Sequence, residues 1–399
     1  CLISGGRVAE TAQRTVAGRP LALPALDIHT VGAGGGSIAW RDGGGALRVG
    51  PESAGALPGP ACYGQGGARA TVTDANLLLG RLPVQTPLAG GLMLDVAAAE
   101  RAVAGLAAEL GLDTRECAAG IVRVAEAEML RALRVMTVER GIDPRAYALM
   151  PFGGAGPLHA CALAGELGIE RVVCPRTSGV LCALGLAAAA PRRDVSRTVM
   201  LRGSELTQDA LADAREELFA QAGSAEAAAV SAPTLSSAPA GEGFSGADAR
   251  VGRAREIAGT GSRTVSGESS ENFFGVNARR RTIYELRYRG QSYELPVESD
   301  SIDPAVLREE FARAHEQRYG YRDDRGEVEL VTIRASVWGT APRLSLRDAD
   351  DTGSRRIEEP AAIEGPAVYP LPEATLYVPP GWSGEVDEWG TVQLHRDPS

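Results

Sequence analysis

Apolar and polar positions along this chain change their period several times, and the changes mark its elements. Between residues 1 and 90 short apolar runs are broken by Gly and Pro, a pattern of strands and turns. Ser37-Ile38-Ala39-Trp40 and Ala46-Leu47-Arg48-Val49 flank Asp42-Gly43-Gly44-Gly45, which predicts a hairpin. From Asp95 the period lengthens. Asp95 is placed to cap a helix over 96–111. Ile121, Val124, Leu133 and Met136 fall partly at helical spacing in a longer helix from about Thr114 to Arg140, which Gly141 stops. A short strand over 146–150, a glycine turn over 151–156 and a helix from Pro157 to about Leu167 come next. A strand over 171–175 and a helix over roughly 178–190 complete a strand–helix alternation that argues for an α/β domain.

The pattern then lapses. Residues 223–280 hold only six Val, Leu or Ile among Ala, Gly, Ser, Arg and Glu, too little apolar surface to offset the entropy of ordering. This stretch reads as a disordered linker or insertion, and a frameshifted piece of coding sequence would look the same. Order returns with strands over 283–289 and 292–297 in a hairpin, a helix over 304–318 and a strand over 327–338. Short β runs between 363 and 395, separated by Gly-Pro and Pro-Pro-Gly, predict a small β-rich module. The expected organisation is a domain over 1–205, the linker over 223–280 and a second domain over 281–399.

Composition narrows the chemistry. The 41 basic residues are all Arg, so a Walker lysine, a Schiff-base lysine and a Ser–Lys dyad are excluded. A formal charge of −10 with no basic run speaks against nucleic acid as a partner. No apolar run approaches the ~18 residues of a membrane span. The six cysteines form no C-x-x-C pair, and five sit in apolar or Gly-rich contexts, so they are expected to be buried, reduced thiols of a cytoplasmic protein. Gly and Pro make up about 18% of the chain against a usual ~12%, which points to tight turns and close backbone approaches.

Four stretches could carry chemistry. Phe152-Gly153-Gly154-Ala155-Gly156-Pro157 joins a strand end to a helix start, where bare backbone and free N–H groups suit an anion or nucleotide; a turn that only packs is the other reading. Asp27 and His29 share one face if 26–30 is a strand, beside the glycine-rich loop 32–36. They suit a metal or acid–base work, or else a hydrogen-bonded structural histidine. Asp74 and Asn76 follow a second Gly/Pro-rich loop and could hold a cation or substrate; the alternative has Asp74 or Thr73 capping the helix that continues through Leu79. Cys62 is a weaker candidate nucleophile. His159 is read as a helix-surface residue that could face the same cleft as the glycine turn, and His315 and His395 as structural or solvated.

Taken together, LDIHTVGAGGGSIAW (26–40), LRVGPESAGALPGPACYGQGG (47–67), TVTDANLLLGRL (71–82), PFGGAGPLHACALAGELGI (151–169) and SGVLCALGL (178–186) closely resemble the hydantoinase A/5-oxoprolinase family, which includes N-methylhydantoinase A and acetone carboxylase beta subunits. LRYRGQSYEL (286–295), FARAHEQRYGY (311–321) and IEGPAVYPLPEATLYVPPGW (363–382) resemble its C-terminal domain, and the likeness covers about three quarters of the chain. The resemblance implies an α/β, actin-like ATPase fold with ribonuclease-H-like halves, followed by an α+β or β-rich domain. It implies ATP-dependent opening of a cyclic amide such as 5-oxoproline, a reaction of glutathione metabolism, or a hydantoin. ATP with Mg²⁺ or another divalent metal would serve as cofactors, and the protein would be oligomeric with a hydantoinase B-type subunit or domain.

On this view Gly153, Gly154, Ala155 and Gly156 bind the adenosine side of the nucleotide. Asp27, His29 and Asp74 are the expected catalytic or substrate contacts, with Asp27 and His29 also the metal candidates. The family's two phosphate loops (DxGGTxTD-like and GGTSTD-like) are not found here, and Cys1 aligns just after the second, as expected for an N-terminally truncated portion. An acetone-carboxylase-like subunit and a non-catalytic assembly subunit or inactive fragment are the rival readings.

Overall fold

The computed structural model describes residues 1–11, 14–16, 19–21, 25–88, 91–223, 278–342 and 362–397. They fall into two compact units, Cys1–Ala187 with Ser345–Ser399, and Ala188–Leu344.

The first unit begins with small two-stranded ladders: β1 (Ile3–Ser4) with β2 (Arg7–Val8), β3 (Glu10–Thr11) with β6 (Ala25–Leu26), and β4 (Arg14–Val16) with β5 (Arg19–Leu21). The predicted hairpin follows as β7 (Ser37–Arg41) and β8 (Leu47–Ser53). Its turn closes on Asp42, whose Oδ1 accepts from the N–H groups of Gly44 (3.0 Å) and Ala46 (2.9 Å).

Helix α1 (Val72–Leu78) leads to α2 (Val96–Leu110), which Asp95 caps by accepting from the Ala98 N–H at 2.9 Å and which stops at Gly111 in the left-handed region. α3 (Thr114–Met136) is capped by Asp113 in the same way. It is shorter than the predicted 114–140, because a 3₁₀ turn over Val138–Arg140 takes up the last residues before Gly141. Val103, Ile121 and Val122 fill the core between these helices and the hairpin. Ala75, Ala107, Ala118 and Ala125 keep the backbones close enough to exclude voids.

The strand–helix alternation is realised by α4 (Gly156–Leu167), β9 (Arg171–Cys174) and α5 (Leu181–Ala188). The predicted strand over 146–150 reduces to a single parallel bridge, Leu149 to Val172. Pro144 starts a 3₁₀ turn that runs to Ala146, and Pro151 has no N–H to extend a ladder. The helix predicted over 178–190 begins as a 3₁₀ turn (Ser178–Val180) and ends at Ala188. β9 then joins β14 (Ala362–Glu364), β17 (Trp382–Val386) and β18 (Val392–Arg396) in a sheet of order β14-β17-β18-β9, with Leu394 opposite Val172. β15 (Ala367–Pro370) and β16 (Thr375–Val378) form a separate hairpin. Ala160, Ala164 and Leu167 of α4 pack with Leu376, Val392 and Leu394 in one core.

The second unit is an antiparallel sheet of order β10-β13-β11-β12, built from β10 (Arg192–Arg202), β11 (Arg279–Tyr288), β12 (Leu295–Glu298) and β13 (Val328–Trp338). Helix α6 (Gln208–Gly223) packs on β10 and β13, and α7 (Pro304–Tyr319) on β12. Leu211, Leu218, Tyr284, Leu307, Phe311 and Ile333 share its core.

The units do not follow the expected domain boundaries. β10 pairs along its length with β13, which draws 192–202 out of the first unit, and β18 pairs with β9, which returns 362–397 to it. The expected linker over 223–280 lies outside the described residues, except that Gly223 ends α6 and residues 278–280 lead into β11. Among the described residues no helix is long and apolar enough to cross a membrane.

Leu394 and Leu330 are fully buried at the centres of the two cores. Leu394→Ala and Leu330→Ala are each expected to lower stability by about 3 kcal/mol in chemical denaturation. A loss below about 1 kcal/mol at either position would contradict this packing.

Candidate active site

The site is built outward from the start of α1. Thr71 is its N-cap, and Asp74 closes a capping box with it: the Asp74 N–H donates to Thr71 Oγ1 at 3.3 Å, and Asp74 Oδ2 accepts from the Thr71 N–H (2.9 Å) and hydroxyl (2.7 Å). The same carboxylate reaches beyond its helix. It accepts from the Ala61 N–H (3.3 Å) and the Cys62 N–H (2.8 Å), so the 58–64 loop is tied to α1. Asp74 is fully buried with four donors on its two oxygens. The group holds a loop and is not among the residues lining the cavity described below. Asn76, also buried, donates through Nδ2 to the Val72 carbonyl at 2.9 Å.

Thr73, one residue earlier, ties down the other loop. Its hydroxyl (2.8 Å) and N–H (2.9 Å) both donate to the Gly35 carbonyl. A Cβ on Gly35 would sit 2.7 Å from Thr73 Oγ1, so only glycine lets loop 32–36 come this close to α1; the Ala155 Cβ of loop 153–156 lies 3.4 Å from the same point. The second loop is held at Gly153, which takes φ +81° and donates its N–H to the Ser178 carbonyl at 2.7 Å. Ala155 is the N-cap of α4 with no side-chain cap, and Pro157 lies in the first turn. A Cβ built on Gly154 meets nothing within 4 Å.

The two loops converge on a cavity of about 580 Å³. Gly35, Gly36, Thr73, Gly154 and Ala155 line one side of it, Tyr63 another, and the turn between β15 and β16 contributes residues 370–375. Burial pushes the Tyr63 phenol above its ordinary range. The volume is in the range of sites for cofactor-sized molecules.

Behind the cavity wall, α4 is braced by charge. His159, expected on the helix surface, is fully buried; its Nδ1 lies 3.1 Å from Glu126 Oε1 of α3. Glu126 also takes the Arg81 guanidinium at 3.1 Å, and Arg81 stacks 4.9 Å over the Tyr377 ring. Among the described residues His159 Nε2 has no partner. Sequence reasoning missed this brace because Arg81, Glu126 and His159 lie on three separate segments of the chain.

Asp27 and His29 are placed differently from expectation. The strand ends at Leu26, so 27–30 has no common strand face. Asp27 is half-buried and its carboxylate pairs with the Arg140 guanidinium, while its N–H donates to the Ala9 carbonyl at 2.7 Å. His29 is exposed, and neither residue is among those lining the cavity. Among the described residues no group of three or more His, Cys, Asp or Glu could hold a metal ion. An occupied carboxylate and a lone imidazole do not fit a divalent cation, so no metal step is derived from them.

Cysteine chemistry is also settled by burial. Cys62, Cys117, Cys161 and Cys174 are buried, whereas Cys1 and Cys182 are exposed, which corrects the expectation of five buried thiols. Burial, with Asp74 beside it, pushes the Cys62 thiol far above the range of a nucleophile. Burial likewise raises Cys161 to about 12 and Cys174 to about 11. Titration of the native protein with a chromogenic disulfide at mildly alkaline pH should therefore count two fast thiols, Cys1 and Cys182. Asp74→Ala, by releasing the 61–62 backbone, should add Cys62 as a third. Fast reaction of Cys62 in the wild type would refute the clamp.

Two glycine loops, anchored by the first turn of α1 and by the 178–180 turn, thus frame a preformed cavity in a mixed helix-and-sheet unit. Residues 1–195 match the Hydantoinase/oxoprolinase family. The chain is 32% identical over 412 residues to caprolactamase subunit alpha of Pseudomonas jessenii, across 94% of this chain and 53% of that relative. It is 29% identical over 443 residues to 5-oxoprolinase 1 of Arabidopsis thaliana, across 99% of this chain and 31% of that one. The crystal structure of the ATP-dependent caprolactamase from Pseudomonas jessenii matches with a TM-score of 0.61 at 30% identity, over 94% of this chain and 54% of that chain. Nucleotide-free acetone carboxylase matches with a TM-score of 0.73 at 20% identity, over 99% and 56%, a likeness of fold alone. The chain belongs to the hydantoinase/oxoprolinase family, and it spans about half the length of the caprolactamase subunit.

Proposed function

We propose that this chain carries the nucleotide-binding part of an ATP-dependent enzyme that opens a cyclic amide such as 5-oxoproline or a hydantoin, within an actin-like ATPase fold. The convergence of Gly35 and Gly154 on one cavity carries the reading. It is supported by similarity to an ATP-dependent caprolactamase and to a 5-oxoprolinase. A lactam carbonyl is a poor electrophile, and ATP would supply a phosphoryl group that makes the carbonyl oxygen a good leaving group.

The chain's own contribution is positioning. Backbone at Gly153–Gly156 comes within reach of the nucleotide, and the N-terminal end of α4 offers N–H groups and its positive dipole end to polar atoms there. Gly35, fixed by two bonds from Thr73, lines the same cavity beside Ala155. Mg²⁺ would accompany the nucleotide, with no residue of this chain assigned to it. Asp27, through Arg140, positions the start of the 27–36 loop, and His29 is the exposed group available to a substrate. A hydantoinase B-type subunit and an oligomeric assembly complete the proposal, in keeping with relatives named as subunits.

Acetone carboxylation is the second reading, in keeping with a relative named as an acetophenone carboxylase subunit. Turnover of 5-oxoproline, a hydantoin and acetone by the complete assembly separates the two.

The direct test is calorimetry of this chain with Mg·ADP. Gly154→Trp would place an indole in open space at the cavity, since glycine there has neither a positive φ nor a neighbour within 4 Å. Binding is expected in the wild type and at least about tenfold weaker in the variant. No binding up to millimolar nucleotide, or equal binding by both proteins, would overturn the reading.

A further inference from the structure

We infer that Glu373 determines how the nucleotide lies in the cavity, its carboxylate accepting hydrogen bonds from the ribose hydroxyls; the inference rests on the nucleotide reading above. Among the described residues lining the cavity, Glu373 is the one charged side chain. It is exposed, and no ion pair among the described residues uses it. A lone carboxylate in a cavity otherwise walled by Gly, Pro, Leu, Thr, Ala and Tyr sorts a nucleotide by charge. It repels the phosphates and admits the neutral nucleoside end. A carboxylate only accepts, and two vicinal hydroxyls are donors that its two oxygens match.

The position of Glu373 is fixed relative to the glycine loop. The turn that carries it is closed by the Leu371 N–H donating to the Ala374 carbonyl at 2.9 Å. A Cβ on Gly179 would lie 2.3 Å from the Glu373 carbonyl oxygen, so the two backbones are in direct contact and only glycine fits between them. The neighbouring Ser178 carbonyl accepts the Gly153 N–H at 2.7 Å. A continuous path of backbone contacts therefore runs from Gly153 through 178–179 to Glu373. Beside it, Leu158, Leu371 and Pro372 supply the apolar wall that a nucleoside needs.

The test is calorimetry of the full chain with ADP and with 2′,3′-dideoxyadenosine diphosphate, for the wild type, Glu373→Ala and Glu373→Gln. The wild type is expected to bind ADP about tenfold more tightly than the dideoxy analogue, a preference that Glu373→Ala abolishes by weakening ADP alone. Glu373→Gln, which keeps one acceptor oxygen, should fall between the two. Unchanged ADP binding by Glu373→Ala would overturn the inference while leaving the nucleotide reading intact. So would an equal loss for both ligands, which reports a general disturbance of the cavity. Absence of ADP binding in the wild type would overturn the nucleotide reading and this inference with it.

Discussion

The Asp74 carboxylate is the constraint on which the first unit depends. A buried charge costs several kcal/mol unless its lone pairs are filled, and here four donors from two segments fill them. Removing any one donor leaves the ion short of a bond, so the helix start, the 58–64 loop and Tyr63 at its end are fixed together. Thr73, on the same turn, extends the constraint to Gly35 by a double hydrogen bond. One helical turn thus sets two of the cavity's walls, and a third is set from Gly153 through Ser178.

Function follows from which backbone is left bare. At Gly35 the absent Cβ is filled by neighbouring protein atoms, and at Gly154 it is filled by nothing. The first glycine therefore serves packing against α1, and the second leaves open space at the cavity. α4 holds Gly154 in place because it is pinned on its buried side by the Arg81–Glu126–His159 brace and by its Ala-rich contact with β16. A half-buried ion pair of this kind adds little net stability. Its effect is geometric, since it fixes the rotation of α4 and hence the direction of its first turn.

Much of the fold could be read in the residues, and the reasons are local. Asp95, Gly141 and the Asp42–Gly45 turn act through their own backbone neighbours, so their elements appeared close to the expected places. β10 went unread because its sequence, RRDVSRTVMLR, alternates weakly; its strand state comes from pairing with β13, over a hundred residues away. The strand predicted over 146–150 shrinks to one bridge because Pro144 and Pro151 flank it.

The site divides in the same way. The glycine loops were visible as sequence, and they do meet at one cavity. The role of Asp74 was half visible, since a capping box is a four-residue pattern but the bonds to Ala61 and Cys62 are not. Glu373 gave no signal at all, because its neighbours in the cavity are contributed by segments up to 338 residues distant, as far back as Gly35. Asp27 and His29 looked paired only under the assumption of a strand that stops at Leu26.

The central claim is that loops 32–36 and 153–156 act as two walls of one nucleotide site. Hydrogen exchange of the backbone amides, followed by mass spectrometry with and without Mg·ADP, tests it without any substitution. The account predicts that ligand slows exchange in both loops together, over the same concentration range. Slowing in neither loop, or in one while the other exchanges unchanged, would contradict it.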